Sequence, residues 1–142
     1  MASFGVRSSR TLATCHNDLF LIMTRVVEIR DCSIVEGARS EEKQLEYFHS
    51  DPQRSKLKWP ESKHNITKAR PLAEACDIVP WPEQYGDKPT MLFLAGVVMG
   101  VASDLLLRGI ISHKLRWGGD WDRDMDINDQ KFIDLWHFEL VT

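Results

Sequence analysis

Leu12, Cys15, Leu19, Ile22, Val26 and Ile29 recur three and four residues apart, so one amphipathic helix is expected over about residues 10–30, lying on the core. The pattern then changes. Cys32 to Glu36 is short and β-branched and Gly37 closes it, as for a strand ending in a turn. Ser40 can cap a following helix, with Glu41 and Glu42 at the positive end of its dipole, and that helix should reach His49. Ser50 to Pro71 is polar, holds Pro52, Pro60 and Pro71, and keeps no period, which predicts a long surface excursion. Leu72 to Val79 alternates like a strand, with Ala75, Asp77 and Val79 on one face and Cys76 and Ile78 on the other. After a turn region from Pro80 to Pro89, an apolar helix is expected from about Thr90 to Arg108, with Gly109 as its C-terminal cap. The chain closes on a strand that buries Phe138 and Leu140 and turns His137 and Glu139 to the opposite face.

Composition narrows the class without choosing a chemistry. A chain of 142 residues, 43% hydrophobic and 27% charged, is expected to be a single globular domain, 1–142, with a real core. Its 18 basic and 21 acidic residues leave a net charge of -3, which argues against a nucleic acid or an anionic membrane as partner. Cys15, Cys32 and Cys76 form no C-x-x-C pair and read as reduced thiols of a protein made in the cytoplasm. Leu19 to Met23 is too short for a signal-peptide core. Met91 to Ala102 falls short of the roughly 20 apolar residues that span a bilayer, so it should be a buried helix, with no membrane insertion.

The chemistry lies between residues 62 and 137. Ser62-Lys63-His64, Ala75-Cys76-Asp77 and Asp134-Leu135-Trp136-His137 supply two imidazoles and a carboxylate, enough to hold Zn2+ with its fourth position open, as in a catalytic site. Asp134, three residues before His137, can serve as the general base without being a ligand. Residues three apart on a regular strand face opposite ways, so Asp134 and His137 converge only if the strand starts after Asp134 or is bulged there. The reading is a zinc hydrolase. Glu139 should share the face of His137, while His16, His49 and His113 lack spaced partners and read as solvent-facing. Trp117 and Trp136 read as core or rim aromatics. The acidic run from Asp120 to Asp129 does not fit an EF-hand, because Ile127 and Ile133 stand where that loop needs Gly and Glu; it reads as a solvated loop.

Ser62-x-His64, Ala75-x-Asp77 and Asp134-x-x-His137 resemble the S-x-H, A-x-D and D/E-x-x-H elements of the zinc D-alanyl-D-alanine carboxypeptidase family, especially its phage L-alanyl-D-glutamate peptidase (endolysin) branch. Gly37-Ala38-Arg39-Ser40 with Gln44, and Trp117-Gly118-Gly119-Asp120-Trp121, extend the resemblance over about residues 33–141. It implies a small α+β domain, with an antiparallel sheet carrying the metal and helices packed behind it. It also implies zinc on His64, Asp77 and His137, Asp134 as catalytic base, Arg39 as a catalytic and substrate contact, and Ser62 and Gln44 on the substrate side.

The implied substrate is the peptide stem of bacterial peptidoglycan, cut by a monomeric enzyme made in the host cytoplasm and acting on the wall. The L-alanyl-D-glutamate bond is preferred because residue 134 is Asp, as in the phage branch. The alternatives are a D-alanyl-D-alanine carboxypeptidase and a non-catalytic, zinc-stabilised wall-binding domain. Twelve residues separate His64 from Asp77, more than the family's usual spacing, but lengthening a surface loop costs only about 0.6 kcal/mol per doubling. Lys68 and Arg70 in that insertion suggest a basic rim for an anionic substrate.

Overall fold

The computed structural model describes residues 1–82 and 86–142; the expected turn region at 80–89 therefore falls partly, at 83–85, outside the described residues. The predicted first helix is two: α1 (Val6–Leu12) and α2 (Asn17–Ile29). The break has a local cause. Thr14 Oγ1 turns back to the Thr11 carbonyl at 2.7 Å, and His16 caps α2 by accepting the Asp18 N–H on Nδ1 at 3.0 Å. The freed backbone pairs elsewhere, the Ala73 N–H with the Thr14 carbonyl at 2.9 Å and the His16 N–H with the Ala73 carbonyl at 2.8 Å. The apolar spacing survives the break because both helices set their stripes, Leu12 and then Leu19, Ile22 and Val26, on one core.

β1 (Cys32–Glu36) and α3 (Glu41–His49) fall where expected, and Ser40 Oγ accepts the Lys43 N–H at 3.2 Å. No helix or strand interrupts residues 50–74. β2 (Ala75–Pro80) starts later than the alternation suggested, because Ala73 is already engaged with residues 14–16. α4 (Lys88–Leu107) follows, capped by Asp87 and closed at Gly109, whose φ of +70° suits a residue without Cβ. At 20 residues it is long and apolar enough to cross a membrane by length and composition alone, contrary to the expected shortfall. Met91, Leu94, Ala95, Val98, Ala102 and Leu105 are nevertheless buried along one side, against α2, β2 and β3.

β3 (Leu115–Trp117), which the sequence did not announce, and β4 (His137–Leu140) complete an antiparallel sheet in the order β1-β2-β4-β3. Its two faces differ in kind. Cys76 opposite Phe138, and Leu115 opposite Leu140, point to the helices, whereas Asp77 opposite His137, and Arg116 opposite Glu139, point away from them. β1 joins the polar face by a register shift between Ile34 and Glu36, which keeps Ile34 in the core and sets Glu36 opposite Asp77. The fold is thus α+β, with the sheet presenting one polar face and helices behind the other.

One glycine couples the sheet to the segment before β4. The Gly118 N–H donates to the His137 carbonyl and its own carbonyl accepts the Asp134 N–H, both at 2.8 Å. A Cβ at Gly118 would lie 2.1 Å from the Asp134 carbonyl oxygen. Gly118→Ala should therefore cost about 1–3 kcal/mol in urea unfolding. Gly100→Ala, on α4 with nothing within 4 Å of the added carbon, should be neutral or stabilising by up to about 1 kcal/mol. Equal effects of the two would refute the close approach.

Candidate metal centre

Three side chains converge on the polar face. His64 Nε2, Asp77 Oδ1 and His137 Nδ1 lie 3.3, 3.1 and 3.2 Å apart in the pairs His64–Asp77, His137–Asp77 and His64–His137. Ligand atoms about 2.0–2.1 Å from a tetrahedral zinc stand roughly 3.3–3.4 Å from each other, so this triangle is already the right size for one face of that tetrahedron. The donor set fits the ion too: two imidazoles and a carboxylate, with no thiol among the three. Cys15, Cys32 and Cys76 are all free and buried, and burial pushes their thiols up, Cys15 to about 11 and Cys32 to about 12.

Strand register brings Asp77 and His137 together as direct cross-strand partners. His64 arrives from the excursion on a tight turn. Ser62 Oγ accepts the His64 N–H at 3.2 Å, and Asn65 Oδ1 accepts the Ser62 N–H at 3.2 Å. The His64 carbonyl then accepts the Arg39 N–H at 2.8 Å, which ties the turn to the end of β1.

Hydrogen bonds on the far side of each ring choose the nitrogen that faces the triangle. His64 Nδ1 lies 2.8 Å from the Gly37 carbonyl oxygen; a carbonyl can only accept, so Nδ1 carries the proton and Nε2 offers its lone pair. His137 is the mirror case, with Nε2 donating to Glu139 Oε1 at 2.8 Å and Nδ1 left for the centre. Against the cost of burial, bonds from His137 and Arg116 hold the Glu139 carboxyl down to about 2. Trp121 lies over His137 with ring centroids 5.5 Å apart.

Burial alone would lower the His137 imidazole, but hydrogen bonds to Asp77 and Glu139 outweigh it and raise the ring to about 9 without metal. Asp77 moves the other way: the two histidines overcome its burial and hold it well below the usual carboxylate range. Asp134 stands in the turn ahead of β4, its carbonyl accepting the His137 N–H at 3.3 Å. The strand starts at His137, which meets the demand set by the spacing. Burial and then the charge of Asp77 raise the Asp134 carboxyl, the direction that suits a group accepting a proton near neutrality.

The sequence matches the family described as phage L-alanyl-D-glutamate peptidase over residues 1–141. The chain belongs to that family. It is accordingly a peptidoglycan-cleaving endopeptidase, a hydrolytic enzyme. Its fold is similar to the crystal structure of Serratia marcescens L-Ala D-Glu endopeptidase ChiX, with a TM-score of 0.69, 22% identity and coverage of 99% of this chain and 90% of that one. No curated protein matches the sequence.

Around the peptidase's centre, Arg39 is buried and largely engaged, its Nε donating to Glu36 Oε1 at 2.9 Å and a terminal nitrogen to Gln44 Oε1 at 2.8 Å. Gln44 has no exposed surface. Its amide donates to Ser55 Oγ and the Leu57 carbonyl, while its oxygen accepts from Arg39 and from Asn65 Nδ2 at 3.1 Å, so it ties residues 55–57 of the excursion to the His64 turn. Glu36, which sequence reasoning passed over, joins Arg39, the Tyr47 hydroxyl and the far side of His64, 4.0 Å from Nδ1. A carboxylate ending a strand just before Gly37-Ala38-Arg39 was the available signal.

The expected basic rim takes a different form. Arg70 turns inward, donating to the Asn65, Pro60 and Ser62 carbonyls, and so clasps the His64 turn; Lys68 remains exposed. Carbonyls left without a strand partner in the excursion draw the guanidinium in. His16 and His113 are corrected as well, since both meet at Asp18 rather than facing solvent alone. Trp117 and the acidic loop agree with expectation: Trp117 packs flat on Phe138, and residues 122–129 are exposed.

A His137 ring raised to about 9 is protonated at pH 7 in the metal-free protein, and that proton must leave as an ion enters. Calorimetry of zinc binding at pH 7 in buffers of different ionisation enthalpy should show release of about one proton per ion, with affinity falling as pH drops. Without metal, the same shift stabilises the fold fully below the ordinary imidazole value of 6.5, and that contribution disappears as pH rises through about 9. Zinc binding without proton release would contradict the arrangement.

Proposed function

We propose that this peptidase holds zinc on His64, Asp77 and His137 and hydrolyses the L-alanyl-D-glutamate bond of the peptidoglycan stem, as an endolysin acting on the bacterial wall. The observation that carries the reading is the ligand triangle with a raised carboxyl, Asp134, beside it. Zinc bound there supplies Lewis acidity, activating water near neutral pH and polarising the scissile carbonyl. Asp134 takes the proton from the attacking water and returns it to the leaving amine, so water adds across the amide and the proton count balances. Gly118 fixes the backbone of that base, and Glu139 with Gly37 holds the two imidazoles in the tautomers the site needs.

Arg39 and Ser62 form the substrate side. Arg39 keeps part of its five-donor guanidinium in reserve beyond its bonds to Glu36 and Gln44, and can meet the tetrahedral oxyanion or a substrate carboxylate. Gln44 acts through Arg39 and Asn65, holding both in place. The L-alanyl-D-glutamate bond is preferred to D-alanyl-D-alanine on the family assignment and on Asp at position 134. A purely structural site has no need of a base and ordinarily closes its fourth position with protein, which disfavours a non-catalytic wall-binding domain.

Digestion of purified peptidoglycan followed by mass spectrometry should give stem peptides with a new N-terminal D-glutamate; release of free D-alanine instead would favour the carboxypeptidase. Asp134→Asn should keep the fold and the zinc while lowering kcat about 100- to 10,000-fold. Near-normal turnover in that variant would remove Asp134 from the mechanism.

A further inference from the structure

We propose that His16, Asp18 and His113 form a second metal site, for a divalent transition-metal ion of the zinc class, which clips the start of α2 to the segment between α4 and β3. One ligand atom from each of the three lies within 4.8 Å of the others, although 95 residues separate Asp18 from His113 in the chain. Asp18 is buried and holds the segment by one oxygen alone: its Oδ2 accepts the Ser112 and His113 N–H groups at 3.0 and 3.1 Å and His113 Nδ1 at 2.8 Å. Its Oδ1 has no hydrogen-bond partner among the described residues. Each histidine likewise uses only Nδ1, His16 to accept the Asp18 N–H and His113 to reach Asp18 Oδ2. The two rings stand edge to face with centroids 5.1 Å apart.

Two imidazoles and a carboxylate repeat the donor set of the catalytic triangle. Mixed nitrogen and oxygen donors suit Zn2+, Co2+ or Ni2+ and do not suit Ca2+ or Mg2+, which take oxygen ligands. Both rings face Asp18 with Nδ1, so the ion would take His16 Nδ1, His113 Nδ1 and an Asp18 carboxylate oxygen, replacing the proton between His113 and Asp18 and the His16 cap on the Asp18 N–H. The 2.8 Å between His113 Nδ1 and Asp18 Oδ2 must open to roughly 3.3 Å around an ion, and the partly exposed rings must turn to meet it. The positive end of α2 also opposes a cation. Both effects make this site the weaker of the two. Its location gives it a structural consequence: the His16 N–H holds the Ala73 carbonyl just ahead of β2, so an ion here braces the strand that carries Asp77.

Elemental analysis of the full chain, equilibrated with zinc and passed through a desalting column pre-equilibrated at the same free zinc, tests the site without relying on turnover. Wild type should hold about two ions per chain, His16→Gln/His113→Gln about one, His64→Ala/His137→Ala about one, and the fourfold variant none. Because His16 and His113 lie outside the catalytic machinery, the first double variant should also keep wild-type activity. In the His64→Ala/His137→Ala background, zinc should raise Tm, and the rise should vanish in the fourfold variant. A wild-type chain saturating at one ion, or a His16→Gln/His113→Gln variant that still holds two, would overturn the proposal, and neither result bears on the catalytic triangle.

Discussion

The antiparallel register that sets Asp77 directly opposite His137 is the constraint on which the rest of the site depends. A slip by one residue would turn Asp77 into the core and Cys76 or Ile78 outward, since side chains on a strand alternate. The core fixes that register. Cys76 and Phe138 on one side of the β2–β4 pair, with Ile78, Leu115 and Leu140 around them, bury against α2 and α4, and no shifted pairing keeps all of them covered. Apolar packing behind the sheet thus holds the donor atoms in front of it 3.1–3.3 Å apart.

His64, the third of the proposed ligands, has no strand to place it, and the chain supplies a polar scaffold instead. Glu36, Arg39, Gln44, Asn65 and Arg70 link β1, α3 and the excursion through buried or half-buried hydrogen bonds that end on the His64 turn. Such a network is stiff only if nearly every member is satisfied, and here Gln44 uses both its donors and both its acceptor positions. This explains how a spacing of twelve residues between His64 and Asp77 is tolerated: the turn is fixed from both ends, and the remainder of the loop is free to lengthen.

What could be read from the sequence was whatever rests on local pattern. The alternation of His137 to Leu140, the caps at Ser40 and Gly109, and the three ligand fragments all express themselves within a few residues. What could not be read depends on distant partners. The break at residues 13–16 is hidden because the apolar period runs through it, and only pairing with Ala73 reveals it. β3 has three residues and no period of its own. The shift after Ile34 that turns Glu36 towards the site, the inward turn of Arg70 and the meeting of His16 with His113 are all tertiary events. Of the proposed functional set, His64, Asp77, His137 and Asp134 carried a spacing signal; Glu36, a partner of a partner, carried almost none.

Three preset donor atoms, His64 Nε2, Asp77 Oδ1 and His137 Nδ1, define the proposed zinc site. Anomalous diffraction across the zinc absorption edge, from crystals of the metal-loaded protein, tests it most directly. A peak is expected about 2.0–2.1 Å from each of the three atoms, with both imidazoles in the tautomers set by Gly37 and Glu139. A peak bound through His137 Nε2, or one centred away from Asp77, would contradict it.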